Sequence, residues 1–454
     1  MTLFIYAKKV FLNHQWFEDQ KLEIDAQGVL ISMKSAFAPS HEKTIDMVVP
    51  SLANLHSHAF QWPMAGLTEY CSSHQDSFWT WRDIMYQFLN KVEPEDLAII
   101  AKALYIEMLK NGYTEVGEFH YLHKDAQGNP YQQPDLLSVS MIEAAIEVGI
   151  NICHLPVFYQ YGGFNKTAAG DGQKRFLLSD HQYADLVHSL RSRYQQHHQV
   201  KIGMAPHSLR AVDVGDLKEL CLDLADNQPV HIHISEQLSE VEQCLKVYQK
   251  RPVELLYSEL DVNAQWCLVH ATHLNEHEVE QIAKSQAVVG ICPTTEANLG
   301  DGIFPLSKFS DLKGNWGIGS DSHISVNMVE ELRWLEYAQR LQMHRRNVYA
   351  SSDKPMTAIN LFYDAYKGGN QALGNTNSGL EIGKKANLLA LKIPDQFLPC
   401  NSDQIFSKFI FSSRNNWIQD VMVSGHWVIQ QGQHPLDEQL PMQLKKVMKK
   451  ILSH

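Results

Sequence analysis

His56 and His58 stand one residue apart in S-L-A-N-L-H-S-H-A-F-Q-W, residues 51–62, after an apolar run that begins at Val48. In a strand, residues i and i+2 face one side. Two neutral imidazoles would then converge, which is a metal-ligand geometry, most often for zinc at about 2.0–2.1 Å. An HxH pair also arises by chance, so the rest of the chain has to decide. Further polar residues end other apolar runs: Glu118 and His120 in Y-T-E-V-G-E-F-H, His207 in V-K-I-G-M-A-P-H, His233 and Glu236 in P-V-H-I-H-I-S-E, His270 in W-C-L-V-H and Asp321 in W-G-I-G-S-D. His56, His58 and His233 with the carboxylate of Asp321 form a donor set of modest charge that suits Zn²⁺ and leaves room for water. Such a cation lowers the pKa of bound water to about 7. Glu236, three residues after His233, can lie near the metal without ligating it, the position of a proton shuttle. His270 can hydrogen-bond a developing negative or tetrahedral centre. Asp321 can take the proton of an attacking water.

These residues need elements that bring them together. Between residues 49 and 379, eight short apolar strands alternate with helical stretches such as E-D-L-A-I-I-A-K-A-L-Y-I-E-M-L-K. That alternation predicts an α/β fold, a (β/α)₈ TIM-type barrel, with a doubly wound sheet as the alternative. In a barrel the C-terminal strand ends share the face where active sites are found. Unrelated polar residues would scatter over both ends, so their alignment favours the metal site over coincidence. Residues 1–48 and 380–454 are β-rich and punctuated by glycine. They predict a small composite, sandwich-like β domain built from both termini. The closing P-M-Q-L-K-K-V-M-K-K-I-L has helical spacing.

Other residues carry blander readings. His231, alternating with His233, is expected to face the opposite way, into packing. His273 lies past its strand, where capping or solvent is expected, and His323 is a candidate for a place behind the ligands. Glu118 reads as structural or catalytic. Glu330, Glu331 and Arg333 read as a solvated helix face, and His74, His197, His198 and His344 as surface residues.

Composition bounds the partners. The chain has 454 residues, 44% hydrophobic and 20% charged, with a formal net charge of −12. That charge argues against nucleic acid or an anionic membrane as the main partner. It also requires that an anionic substrate be met by local cations. Seven cysteines without a CxxC pair argue against a disulfide scaffold or a thiolate zinc site and predict a cytoplasmic protein. No run approaches the ~18 apolar residues of a membrane span, and the N-terminus does not read as a signal peptide.

L-H-S-H, H-I-H-I-S-E, L-V-H-A-T-H and G-I-G-S-D-S-H follow the order and spacing of the amidohydrolase superfamily. F-Q-W-P-M-A-G-L, D-S-F-W-T-W-R-D-I-M-Y, G-E-F-H-Y-L-H, A-P-H-S-L-R-A-V and I-C-P-T-T-E-A-N-L-G-D-G-I-F-P resemble, more narrowly, the N-formimidoyl-L-glutamate deiminases of histidine degradation. The resemblance spans nearly the whole chain. One departure is Trp62-Pro63 after Gln61, where a polar or basic pair is expected. The resemblance implies zinc, or another divalent metal, on His56, His58, His233 and Asp321. It implies proton transfer and polarisation by Glu236 and His270, and substrate contacts from Gln61, Arg82, Tyr121, His207 and Arg210. It also implies a homodimer. The two arginines match the need for local cations, since guanidinium forks pair with carboxylates bidentately. Arg82, between Trp81 and Asp83, also has a surface ion pair as a simple alternative. Two-metal relatives place a carboxylated lysine at the end of the fourth strand. Here Lys201 begins that strand and His207 ends it, so one metal per chain is expected. The expected reaction is hydrolysis of N-formimidoyl-L-glutamate to N-formyl-L-glutamate and ammonia. The rivals are a guanine, cytosine or triazine deaminase on the same machinery, and a non-catalytic barrel acting in assembly.

Overall fold

The computed structural model describes residues 2–70 and 78–453, apart from the side chains of residues 78–80 and 83. Eight parallel strands alternate with helices. The strands are Leu52–Ser57, Tyr113–His120, Asn151–Phe158, Val200–Ile202 with its continuation Ala205–Pro206, Val230–Ile234, Trp266–His270, Val288–Ile291 and Asn315–Ile318. Strands one to four form one parallel set and strands five to eight another. Two parallel bridges join the sets. Met204 pairs with Val230 between strands four and five, and Ser57 pairs with Asp321 between strands one and eight. The strands therefore run round as a (β/α)₈ barrel. They are buried on both faces, as in V-H-I-H-I of strand five, because side chains fill the inside and helices cover the outside.

Strand one is irregular where its chemistry lies. Its register against strand two slips between Asn54 and Ser57. Such a bulge re-aims side chains. Leu55 fills the barrel interior, so close to Gly117, Gly290 and Gly317 that an added Cβ at any of the three would fall 2.5–2.7 Å from its atoms. His56, its neighbour, also turns inward.

A seven-stranded mixed sheet takes strands from both ends of the chain. Its order is His426–Ile429, Ile418–Val423, Leu388–Leu391, Thr44–Pro50, Leu3–Leu12, Gln15–Ile24 and Leu30–Ser35. The two ends of this order approach one another. Gly28 adopts φ +82°, and a Cβ there would lie 2.1 Å from the Ser424 carbonyl oxygen, so only glycine fits that turn. The sheet has its own apolar cluster, including Ile5, Val10, Leu22, Leu30, Leu388 and Met422. The last helix, Leu440–Leu452, buries Leu440, Val447 and Ile451, and Lys450 pairs with Asp96 on the helix Pro94–Lys110. No helix among the described residues is long and apolar enough to cross a membrane.

Candidate active site

The C-terminal ends of strands one, five and eight bring four donors together. His56 Nε2 lies 3.1 Å from His58 Nε2 and 3.0 Å from His233 Nε2. Asp321 Oδ1 is 3.2 Å from His58 Nε2 and 3.5 Å from His56 Nε2. All four residues are buried. Hydrogen bonds fix two of the rings. His58 Nδ1 meets the Phe119 carbonyl at 2.8 Å, and His233 Nδ1 meets the His207 carbonyl at 3.0 Å. A ring nitrogen facing a carbonyl must donate, so in a neutral ring the Nε2 opposite presents its lone pair. Burial pushes His56 down to about 3 and His233 well below the usual imidazole range, which keeps both neutral. Lone pairs facing one another at such distances repel unless a cation lies between them. Donors around a cation with bonds of about 2.0–2.1 Å stand roughly 3.3 Å apart in a tetrahedral array. The donor set therefore fits a divalent metal.

The backbone supports this arrangement at some cost. Ser235, His270, Ala271, Asp321 and His323 have φ between 46° and 67°, a left-handed conformation unusual for residues other than glycine. Such outliers cluster at functional sites, where surrounding bonds enforce them. Asp321 N–H donates to the His56 carbonyl at 3.0 Å, and His58 N–H to the Asp321 carbonyl at 3.3 Å.

Beside the donors lie Glu236 and His270. His270 Nε2 is 3.8 Å from both Glu236 Oε1 and Asp321 Oδ2, and its Nδ1 is 3.3 Å from Glu296 Oε1. Burial alone would lower His270, but Glu236, Glu296 and Asp321 outweigh it and lift the ring to about 10. Burial raises the Glu236 carboxyl, against the opposing pull of His270 and Arg210. Asp321 would be raised by burial too, yet the neighbouring His56 and His58 rings hold it well below the carboxylate range.

Every site residue expected from the sequence except His56 lines one cavity: His58, Gln61, Arg82, Tyr121, His207, Arg210, His233, Glu236, His270 and Asp321. His56 sits behind it, fully buried. Gln61 Nε2 donates to the Tyr121 hydroxyl at 2.9 Å, while Gln61 Oε1 is buried without a hydrogen-bond partner among the described residues. Burial and the Arg210 cation hold His207 well below the usual imidazole range. The Arg210 and Arg82 charges both act on the Tyr159 hydroxyl, so the two guanidiniums share one neighbourhood. Tyr86, Tyr159, Trp81 and Phe176 also line the cavity and were not expected. Tyr159 directly follows strand three, and Trp81 and Tyr86 lie with Arg82 in D-S-F-W-T-W-R-D-I-M-Y; those positions are the available signals.

Other readings change with the structure. His231 does not face away from His233, because a spacing of two puts both on one side of the strand. It reaches the Ala372 carbonyl at 2.8 Å, packed but on the same face. Glu118 takes the structural reading. Its oxygens accept from Ser57 Oγ at 2.6 Å and Ala59 N–H at 2.8 Å, on either side of His58, and from Tyr105 at 3.3 Å. His323 lies behind the ligands, between Ser320 Oγ at 2.9 Å and Ser57 Oγ at 3.3 Å. Glu331 is no solvated residue: it is fully buried and accepts from the Thr294 N–H and hydroxyl. Arg333 donates to the Ile410 and Ser413 carbonyls, and only Glu330 is exposed. His74 and the start of D-S-F-W lie outside the described residues. Lys201 points to the Gly374 carbonyl, and its charge is felt by Glu115. His270, Cys292 and Asp321 form a second convergent set that shares Asp321, but burial pushes the Cys292 thiol well up, away from the thiolate a metal takes.

Known proteins share this architecture. Formimidoylglutamate deiminase of Pseudomonas aeruginosa is 42% identical over 450 residues, 99% of each chain. The crystal structure of an amidohydrolase from Brucella melitensis matches with a TM-score of 0.95 at 40% identity, covering 99% of this chain and 100% of that one. An adenosine deaminase from Xanthomonas campestris with bound zinc has the same fold, with a TM-score of 0.82 at 20% identity over 99% and 98% of the two chains. A model of the amidohydrolase family matches residues 47–428, and with these likenesses and the barrel-end donor set the chain belongs to that family.

Proposed function

We propose that this protein is a metal-dependent formimidoylglutamate deiminase of histidine degradation, converting N-formimidoyl-L-glutamate and water to N-formyl-L-glutamate and ammonia. The observation that carries this reading is the cavity itself, which holds two guanidiniums, Arg82 and Arg210, together with the donor set His58, His233 and Asp321. A substrate with two carboxylates and a hydrolysable amidine matches both. The P. aeruginosa relative bears the same activity in its name. Guanine, cytosine and triazine rings offer no carboxylates to the arginines, and a non-catalytic barrel has no need of a complete donor set.

His56, His58, His233 and Asp321 would hold one divalent metal, with zinc as the first choice because the donors are three imidazoles and a carboxylate. When bound, the cation acidifies water and supplies a nucleophile at neutral pH. The remaining steps belong to side chains. Arg82 and Arg210 hold the two carboxylates, and Gln61 Oε1 accepts a substrate N–H. Tyr121 and His207 line the same cavity. Asp321 Oδ2 takes a proton as water adds across the carbon–nitrogen double bond. His270 donates a hydrogen bond to the new tetrahedral centre. Glu236, protonated at the start, gives its proton to the terminal nitrogen as water adds and then takes the proton of the new hydroxyl, while Asp321 returns its proton to the departing nitrogen, so that both carboxyls end as they began. With the glutamate moiety anchored by the arginines, the small terminal nitrogen turns toward Glu236 and leaves as ammonia. The other nitrogen would leave as glutamate, with formamide.

The division into a barrel, residues 49–379, and a composite domain, residues 1–48 with 380–454, is part of the same proposal. So are a cytoplasmic location, supported by six free cysteines among the described residues, and a homodimer. Ammonia release from N-formimidoyl-L-glutamate, set against guanine and cytosine, tests the function. NMR of the first products separates ammonia and formylglutamate, the expected pair, from formamide and glutamate, which would refute the orientation.

A further inference from the structure

The helix Phe78–Leu89 supplies one wall of the cavity. Trp81 and Met85, and likewise Arg82 and Tyr86, are four residues apart and so share a face, and all four line the site. The last turn of this helix contains no basic residue. The final carbonyls of a helix lack intrahelical donors, and a cation is favoured beside them. Arg175 brings that cation from elsewhere in the chain, and it is only 2% exposed. Its Nη1 donates to the Leu89 carbonyl and, at 3.0 Å, to the Val92 carbonyl, while its Nε donates to the Lys124 carbonyl at 2.9 Å. The Arg175 carbonyl accepts in turn from the N–H groups of His123 and Lys124, at 3.0 and 3.1 Å. One guanidinium thus joins the end of the cavity helix to the loop that follows strand two, where Tyr121 stands. The chain on either side of Arg175 meets the same wall. Gly172, in the short helical turn Asp171–Gln173, lies so close to Tyr86 that an added Cβ would fall 2.4 Å from its Cδ2 and 3.0 Å from its Cβ. Phe176 lines the cavity and packs against Tyr121 and Tyr86, with ring centroids 4.9 and 5.8 Å away.

We propose that Arg175 is a positioning residue for substrate binding, docking the helix Phe78–Leu89 against the loop after strand two and so setting the place of Arg82 relative to Tyr121. Arg175 does not line the cavity and acts through the backbone at Leu89 and Val92. The inference rests on the substrate contact proposed above for Arg82. A shift of about 1 Å in a positioning group can cost about 10²-fold. A contact made alike in the bound and transition states is lost in KM and not in kcat. The planar fork matters as much as the charge, since a lysine ammonium is a point charge that does not reproduce its spread of donors.

The test is Arg175→Lys in the full-length, metal-loaded protein. Hydrogen exchange without substrate should quicken over Phe78–Leu89, while the barrel strands keep their protection. KM for formimidoylglutamate should rise about tenfold or more, with kcat changed less than about threefold and metal content unchanged. In an Arg82→Met background, where the contact that the helix places is already gone, Arg175→Lys should change KM less than about threefold. A merely structural arginine would lower the folded fraction, and with it the apparent kcat, and leave KM where it was. Unchanged exchange over the helix, a KM within about threefold of wild type, or equal rises in both backgrounds would overturn the proposal. Should Arg175→Lys not fold, Gly172→Ala presses on the same helix at Tyr86. Quickened exchange there with a tenfold rise in KM then supports the proposal, and a KM within about threefold of wild type overturns it. Failure of the wild-type protein to release ammonia from formimidoylglutamate would strike the proposed function alone, because the exchange is read without substrate.

Discussion

Glu236 illustrates how environment assigns chemistry to a side chain. It follows a ligand by three residues, yet it faces His270 at 3.8 Å and Arg210 at 4.0 Å and is not one of the four converging donors. Burial raises its carboxyl, which suits a group that must both accept and return a proton. Glu236→Gln should therefore keep the metal and lose about 10²–10⁴-fold in kcat, since general acid–base catalysis is typically worth that much. Loss of metal would instead make Glu236 a ligand, and turnover within a few-fold of wild type would remove it from proton transfer. The arginines act on binding. Arg82→Met and Arg210→Met should each lower kcat/KM by about 10- to 150-fold, the range of one hydrogen bond to a charged group. The loss should shrink for an analogue that lacks the matching carboxylate. Equal losses with both compounds would mean that the arginine serves packing.

At the scale of elements, the strand ends decide which of these residues were legible. His56 and His58 could be read from their spacing, because a period of two converts sequence directly into a shared face. His207, His233, His270 and Asp321 followed once the βα alternation placed their strands side by side. The bulge at Leu55–His56 was not legible, because it is set by three glycines on strands two, seven and eight that let Leu55 fill the interior. Glu331 was misread for a similar reason: its partner Thr294 lies 37 residues earlier, on another helix. Tyr159 carries no motif and enters the site through tertiary placement alone. His231 was misread without that excuse, since the period that joins His56 to His58 also joins it to His233. Glu118 shows what such long-range partners do. It binds the chain at Ser57 and Ala59, and so fixes the residue between them, His58. Glu118→Gln would set an amide donor against the Ser57 hydroxyl or the Ala59 N–H. Partners of this kind are worth about 10–100-fold in metal affinity. The variant should need that much more metal for half-maximal activity and recover in excess metal. An unchanged metal titration would mean that strand pairing alone holds the turn.

At the scale of the whole molecule, the four donors sit where the barrel is joined. Strands one to four and five to eight are each continuous, while the junctions carry the isolated bridges Met204–Val230 and Ser57–Asp321 with few backbone hydrogen bonds beside them, such as His233 N–H to the His207 carbonyl at 3.1 Å. His56 and His58 stand on strand one, His233 follows the four–five junction, and Asp321 is itself half of the eight–one bridge. A cation held by all four would tie both halves of the barrel together. It binds the folded chain and has no preformed site in the unfolded one, so its binding energy is stability. At 100–1,000 times Kd this amounts to about 2.7–4.1 kcal/mol. For domains of 150–250 residues each kcal/mol moves Tm by roughly 2–4 °C, and the shift per kcal/mol falls with size. Stripping the metal should thus lower Tm by roughly 3–10 °C, and returning one equivalent per chain should restore both Tm and ammonia release. Calorimetry beside elemental analysis reads both quantities on the same sample. A Tm indifferent to chelation would show that the donors do not brace the junctions. A second equivalent needed for activity would replace the single site by a pair, with His270 and Cys292 as the next donors to examine.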